Sequence, residues 1–194
     1  HRFLFIHVPM AAGTTVTKEL SRFTTFRDVE VGGTRYGEKI QDMYSARFDL
    51  RKHSTASAIR PKAGPDVWRS YFVFAFARNP YARAYSIYRF LLKWKDGPYY
   101  ALVEPLSFED FITSEMVSDG VIEIARPQAY WLADAQGEIM QGIDFVGRLE
   151  SFDEDFSFIL STIQRRPAAF RALTRANSST DVDEWRGALT PKAR

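Results

Sequence analysis

Two short runs of bulky apolar residues govern what this chain can fold into. Phe3-Leu4-Phe5-Ile6-His7-Val8 and Tyr71-Phe72-Val73-Phe74-Ala75-Phe76-Ala77 carry almost no polar alternation. A strand with one wet face alternates apolar and polar residues. A strand without alternation is covered on both faces, as in a parallel sheet between helices. Each run breaks into a loop and then a helical pattern. After the first come Pro9, the small residues Ala11-Ala12-Gly13, and Thr14-Thr15, with Val16, Leu20 and Phe23 on one helical face. After the second come Arg78-Asn79-Pro80 and a helix predicted over about 81–93, which Asp96-Gly97-Pro98 ends. Two strand–loop–helix units predict the α/β class: a P-loop-like parallel sheet flanked by helices. At 194 residues the chain is expected to form a single domain over 1–194.

The rest of the chain is read from turn and cap signals. Gly32-Gly33 marks a turn, and residues 37–47 can hold a short helix. Ser54 or Thr55 can cap a brief helix over 56–59 that Pro61 ends, and Lys62-Ala63-Gly64-Pro65 reads as a loop. Ser107 with Asp110, and Ser151 with Glu154, have the spacing of capping boxes. Between them, Arg126-Pro127 interrupts a helical stretch, residues 134–137 form a turn and Phe145-Val146-Gly147-Arg148-Leu149 suggests a third strand. Behind Ser151, the residues Phe152, Phe156, Ile159, Leu160 and Ile163 make an apolar stripe. From Thr174 onward the composition is small and polar, that of a poorly ordered tail.

Composition narrows the function classes. There is no cysteine, so disulfides, thiolate catalysis and cysteine metal sites are excluded. The three histidines are scattered and make no zinc motif, so no metal is expected. The net charge is +2, with no run of five or six basic residues, which argues against nucleic acid and suits a small anionic ligand. No apolar run approaches the roughly 20 residues of a membrane span, and no secretory signal is visible. A cytoplasmic, bacterial setting is the expectation, with the Golgi lumen the alternative for a trimmed eukaryotic chain. Oligomeric state is not legible.

Two stretches can carry chemistry. In Pro9-Met10-Ala11-Ala12-Gly13-Thr14-Thr15 the small residues let backbone wrap an anion at a helix N-terminus. The same stretch reads equally as a plain strand-to-helix turn with Thr14 or Thr15 as N-cap. It is not a Walker A loop, since G-x-x-x-x-G-K-[ST] is absent. In the second stretch Arg78 stands at a strand end, and Ser86 lies eight residues later in a helix. Both can meet one phosphate there, or be a surface Arg and a backbone-bonded Ser.

Together, Phe5-Ile6-His7-Val8-Pro9-Met10-Ala11-Ala12-Gly13-Thr14-Thr15 and Phe74-Ala75-Phe76-Ala77-Arg78-Asn79-Pro80-Tyr81-Ala82-Arg83 through Ser86 resemble the 5′-phosphosulfate loop and the 3′-phosphate motif of sulfotransferases. Residues 145–156 and Arg126-Pro127-Gln128 are similar to further family segments, and the resemblance is to the carbohydrate (Golgi-type and bacterial) branch. It implies a sulfuryl donor, 3′-phosphoadenosine 5′-phosphosulfate (PAPS), with 3′,5′-ADP as product and a small-molecule or glycan hydroxyl as acceptor. It also implies that Met10, Ala11, Ala12, Gly13, Thr14 and Thr15 cradle the 5′ end, while Arg78 and Ser86 hold the 3′-phosphate.

Met10 departs from the family pattern, which places Lys there. Losing one donor aimed at developing charge costs on the order of 3 kcal/mol, or ~100-fold in rate. An engineered substitution, a natural low-activity relative and rescue by a nearby Arg all fit, and the intact remainder of the loop favours the first. Similar His-containing stretches occur at this point in related sequences. The resemblance makes His53 the first candidate for the base that takes the acceptor proton, with an exposed loop His the equal plain alternative. His7 reads as a packed core residue within reach of the site, and Glu19 and Glu150 are weaker candidates. Trp94, Tyr99, Tyr100, Tyr130 and Trp131 suit sugar stacking or core packing. The expectation is a PAPS-dependent sulfotransferase impaired by Met10. The alternatives are a non-catalytic nucleotide-binding protein on the same fold and a P-loop kinase.

Overall fold

The computed structural model describes residues 1–25, 27–165 and 184–189. In chain order its elements are β1 (Phe3–Ile6), α1 (Gly13–Leu20), α2 (Arg35–Phe48), α3 (Ala56–Ala63), α4 (Pro65–Ser70), β2 (Phe72–Ala77), α5 (Pro80–Lys93), α6 (Tyr100–Val103), α7 (Phe108–Thr113), α8 (Glu115–Ser118), α9 (Gln128–Leu132), β3 (Phe145–Arg148), α10 (Phe152–Gln164) and α11 (Glu184–Gly187). The contacts gather into two compact units. One is His1–Ala77 with Gln128–Ala176, and the other is Arg78–Pro127 with Asn177–Arg194.

The first unit holds the sheet, in the order β1-β2-β3. All pairs are parallel, with Phe5 opposite Phe74 and Phe74 opposite Phe145. The α/β class with a parallel sheet flanked by helices is as expected. The absence of polar alternation is explained by β2: Val73, Phe74, Ala75 and Phe76 are all fully buried. Phe76 packs on Phe152 and Phe156 of α10, so the apolar stripe of that helix covers one face. Each such buried Phe contributes about 1.5–3 kcal/mol relative to exposure. Because the strands are parallel, the carboxyl ends of β1 and β2 leave the same sheet edge, where open α/β sheets take ligands.

The second unit is helical among its described residues. Tyr88 of α5 packs on Phe108 and Phe111 of α7, and its hydroxyl donates to the Leu106 carbonyl at 2.7 Å. Ser107 and Asp110 form the expected capping box. Arg83 is buried and donates to the carbonyls of Arg126 and Ile124 at 3.0 and 2.7 Å. Burial pushes its pKa down to about 10, which leaves it cationic near neutral pH. Trp185 of α11 stacks on Tyr81 at 5.3 Å.

Three local expectations are corrected. Pro61 does not end α3, which runs to Ala63. A proline there removes one N–H that would bond residue 57, but both positions are exposed, so water can serve the freed carbonyl. Gly64 stops α3 at φ 83°, and Pro65 opens α4 where a loop was expected. Proline suits a first helical turn, whose N–H groups lack helical partners in any case. Ser151 makes no capping box with Glu154. A 3₁₀ turn, Leu149–Ser151, precedes α10, and the Ser151 hydroxyl bonds the Asp155 carboxylate at 2.9 Å. Of the tail, residues 174–183 and 190–194 lie outside the described residues. Residues 184–189 include α11 and a buried Leu189.

Candidate functional site

The site is built where β1 gives way to α1. The strand ends at Ile6, and His7, Val8 and Pro9 stay buried as the chain turns. Met10 and Ala12 then adopt positive φ, 59° and 63°. A residue with a β-carbon held left-handed costs about 1 kcal/mol, and such strain is kept where backbone groups must converge. Ala12, not Thr14 or Thr15, is the N-cap of α1, and its methyl offers no cap bond. The amides of Thr15 and Val16 bond back to the Ala12 carbonyl at 2.9 and 3.1 Å. The helix therefore opens at Gly13 without a side chain across its positive end, the arrangement that receives anions.

Gly13 is required by contact. A β-carbon there would lie 1.6 Å from Nε2 of His7. The His7 ring thus rests against the first residue of α1, stacked on Phe5 at 5.6 Å and edge-on to His53 at 4.5 Å. Burial, and then the charges of His53 and Lys52, hold the His7 pKa well below the usual range, so this ring is neutral.

His53 lies just before α3, which Thr55 caps by accepting from the Ala58 amide. Its Nδ1 is 2.9 Å from the backbone carbonyl oxygen of His7. A carbonyl oxygen only accepts, so Nδ1 carries the proton, and in the neutral ring the lone pair sits on Nε2. The ring is half-buried, with the indole of buried Trp131 edge-on at 6.2 Å. His53 is thus a held side chain and not a loose loop histidine.

Two residues near this site, Lys52 and Glu38, were not picked out from the sequence, and Gly33 was read only as part of a turn. Lys52 Nζ bonds Glu38 Oε1 at 2.7 Å, and the same oxygen accepts from the Gly33 amide at 2.9 Å. Those two bonds hold the Glu38 carboxyl below the usual carboxylate range. The Gly32-Gly33 turn was legible, but its purpose was not. A β-carbon at Gly33 would meet Thr17 of α1 at 2.9 Å, and one at Gly32 would meet the Lys52 stem at 2.6 Å.

The other expected residues are placed as follows. Arg78 follows the last residue of β2 and, like Ser86 in α5, is half-buried in the second unit. Asn79, between Arg78 and α5, caps that helix by accepting from the amides of Tyr81 and Ala82 at 3.0 and 3.1 Å. Glu19 pairs with Arg22 at 2.5 Å, and Glu150 is exposed in the 3₁₀ turn. Of the aromatics, Trp131 is core, whereas Trp94 and Tyr130 are exposed by 46% and 39%.

A family model described as "Sulfotransferase family" matches residues 1–182. The chain belongs to the sulfotransferase family. Membership makes it a transferase, with sulfuryl transfer as its general reaction class. An uncharacterized protein of Archaeoglobus fulgidus is 28% identical over 105 residues, which is 54% of this sulfotransferase and 78% of that protein. No solved structure matches. Among the described residues of this sulfotransferase, no helix is long and apolar enough to cross a membrane. No His, Asp or Glu side chains gather there as a metal site.

Proposed function

We propose that this sulfotransferase uses PAPS and delivers its sulfuryl group to a hydroxyl of a carbohydrate or another alcohol. The observation that carries this reading is the fixed His53 ring beside the strand-end loop, with Nδ1–H on the His7 carbonyl. The loop suits an anion in shape: small residues, left-handed turns at Met10 and Ala12, and an uncapped α1. In charge it is short by the family's lysine, since Met10 offers neither cation nor donor. When bound, PAPS supplies an activated sulfuryl group whose departure leaves 3′,5′-ADP.

The protein's own residues do the rest. The first-turn amides of α1, with the hydroxyls of Thr14 and Thr15, offset charge at the 5′ end. His53 Nε2 takes the acceptor proton, and the His7 carbonyl keeps its hold on Nδ1–H, stabilising the imidazolium as it forms. The 3′-phosphate role falls to Arg78 and Ser86 by their motif alone.

Thermal shift with 3′,5′-ADP against ADP tests the donor. A ligand at 100 times its dissociation constant stabilises by ~2.7 kcal/mol. The reading requires a shift with 3′,5′-ADP that ADP does not reproduce, and equal shifts would end it.

Met10 itself favours a second reading, a nucleotide-binding protein on this fold that performs no transfer. Met10→Lys separates the two: transfer that rises supports the enzyme, and silence supports the binding protein.

A further inference from the structure

We infer that Lys52 supplies the cation that position 10 lacks, binding the anionic 5′ end of the nucleotide donor. The inference rests on the donor proposed above and adds a residue to it. Lys52 precedes His53, whose ring is 4.5 Å from His7, and His7 in turn lies against Gly13 at the start of α1. The Lys52 backbone is therefore next to a residue that reaches the start of α1 through His7.

Its stem is also fastened. It runs along Gly32, where a β-carbon would come within 2.6 Å of Cδ. The adjoining Gly33 lies against Thr17, one turn into α1. Glu38 steadies the ammonium at 2.7 Å and is itself anchored on the Gly33 amide and at the start of α2, which Thr34 caps. The glycine turn thus lets a lysine from one side and a threonine from α1 approach the same few atoms of backbone. Burial first, and then the charges of His53 and Lys52, lower the proton affinity of His7. A lysine side chain is long and rotatable, and one held by a single carboxylate can swing to a more highly charged anion.

A purely structural Lys52–Glu38 pair would leave nucleotide affinity alone, so affinity decides. The measurement is calorimetric binding of 3′,5′-ADP and PAPS to the parent, Lys52→Met, Lys52→Arg, and Lys52→Met combined with Met10→Lys. Lys52→Met is expected to weaken both nucleotides by about tenfold or more at unchanged fold by circular dichroism. Lys52→Arg should retain most of the affinity, and Met10→Lys should restore it in the Lys52→Met background. Unchanged affinity in Lys52→Met, or no restoration by Met10→Lys, overturns the inference and leaves the donor reading standing. If Lys52→Met does not fold, loss of affinity in a folded Lys52→Arg overturns it and retention supports it. A parent that binds neither nucleotide overturns both.

Discussion

Nδ1 of His53 sits 2.9 Å from the carbonyl oxygen of His7, across 46 residues of sequence. That bond orients the ring and places its lone pair on Nε2, the atom proposed to take the acceptor proton. His53→Ala should reduce sulfuryl transfer by about 10²–10⁴-fold, with 3′,5′-ADP affinity unchanged within twofold. Turnover and thermal shift on the same preparations check it, best in the Met10→Lys background where the signal is larger. Retained turnover would move the base elsewhere.

Met10→Lys should raise transfer by at least ~10-fold, since a donor aimed at developing charge is worth up to ~100-fold or more. Both side chains carry a β-carbon, so the left-handed φ of 59° is no worse for Lys than for Met. A steady-state assay with labelled donor reads the gain.

Gly13→Ala should cost stability and nucleotide binding together. The new methyl would overlap the His7 ring, which is buried and pinned by Phe5 and His53. Overpacking of this kind costs about 1–3 kcal/mol, and more where neighbours cannot move. Denaturant midpoint and 3′,5′-ADP binding are the readouts. A fully stable, fully binding variant would mean that the ring is free to withdraw.

Acid should weaken the fold through His7. Its pKa is lowered by burial first and by the charges of His53 and Lys52 next. The unfolded ring titrates near 6.5, at about the usual value. Below that pH the unfolded chain takes up the proton before the native one does, so stability is present above about pH 6.5 and lost as pH falls toward the lowered native value. His7→Gln should flatten that limb of the stability–pH curve, measured by urea unfolding at several pH values.

Arg83→Leu should destabilise by on the order of 3 kcal/mol, because it strips the Ile124 and Arg126 carbonyls of buried donors. Thermal unfolding checks it. A neutral result would show that water replaces the guanidinium.

How much of this was legible beforehand follows from what sets each feature. β2 was plain because double-sided burial erases polar alternation, and α5 and α10 because their stripes are long. β1 is equally apolar, but as an edge strand it keeps Phe3, Leu4 and Phe5 only half-buried, not covered on both faces as expected. The left-handed turns at Met10 and Ala12 were not, since residues with β-carbons give no sign that they will be forced there. Pro61 and Pro65 were read as breakers, but exposure excused one and a first-turn position the other. Ser151 had the spacing of a cap, and a competing carboxylate, Asp155, took its hydroxyl. His53 was nominated by a family pattern, whereas its attachment to His7 is tertiary. Lys52 and Glu38 stand 14 residues apart in different segments, and no local periodicity links them.

Strand order has a consequence for biosynthesis. Phe3 pairs with Phe72, and no two neighbours in the sheet are joined by a hairpin. A nascent chain emerging amino end first holds its greasy first strand without a mate until the middle strand clears the ribosome. The anion loop cannot take shape before then, because the strand that aims it has nothing to lie against. Slow, late closure of this kind is the penalty of long-range parallel pairing. It leaves that strand dependent on shielding from its own kind until its partner is made.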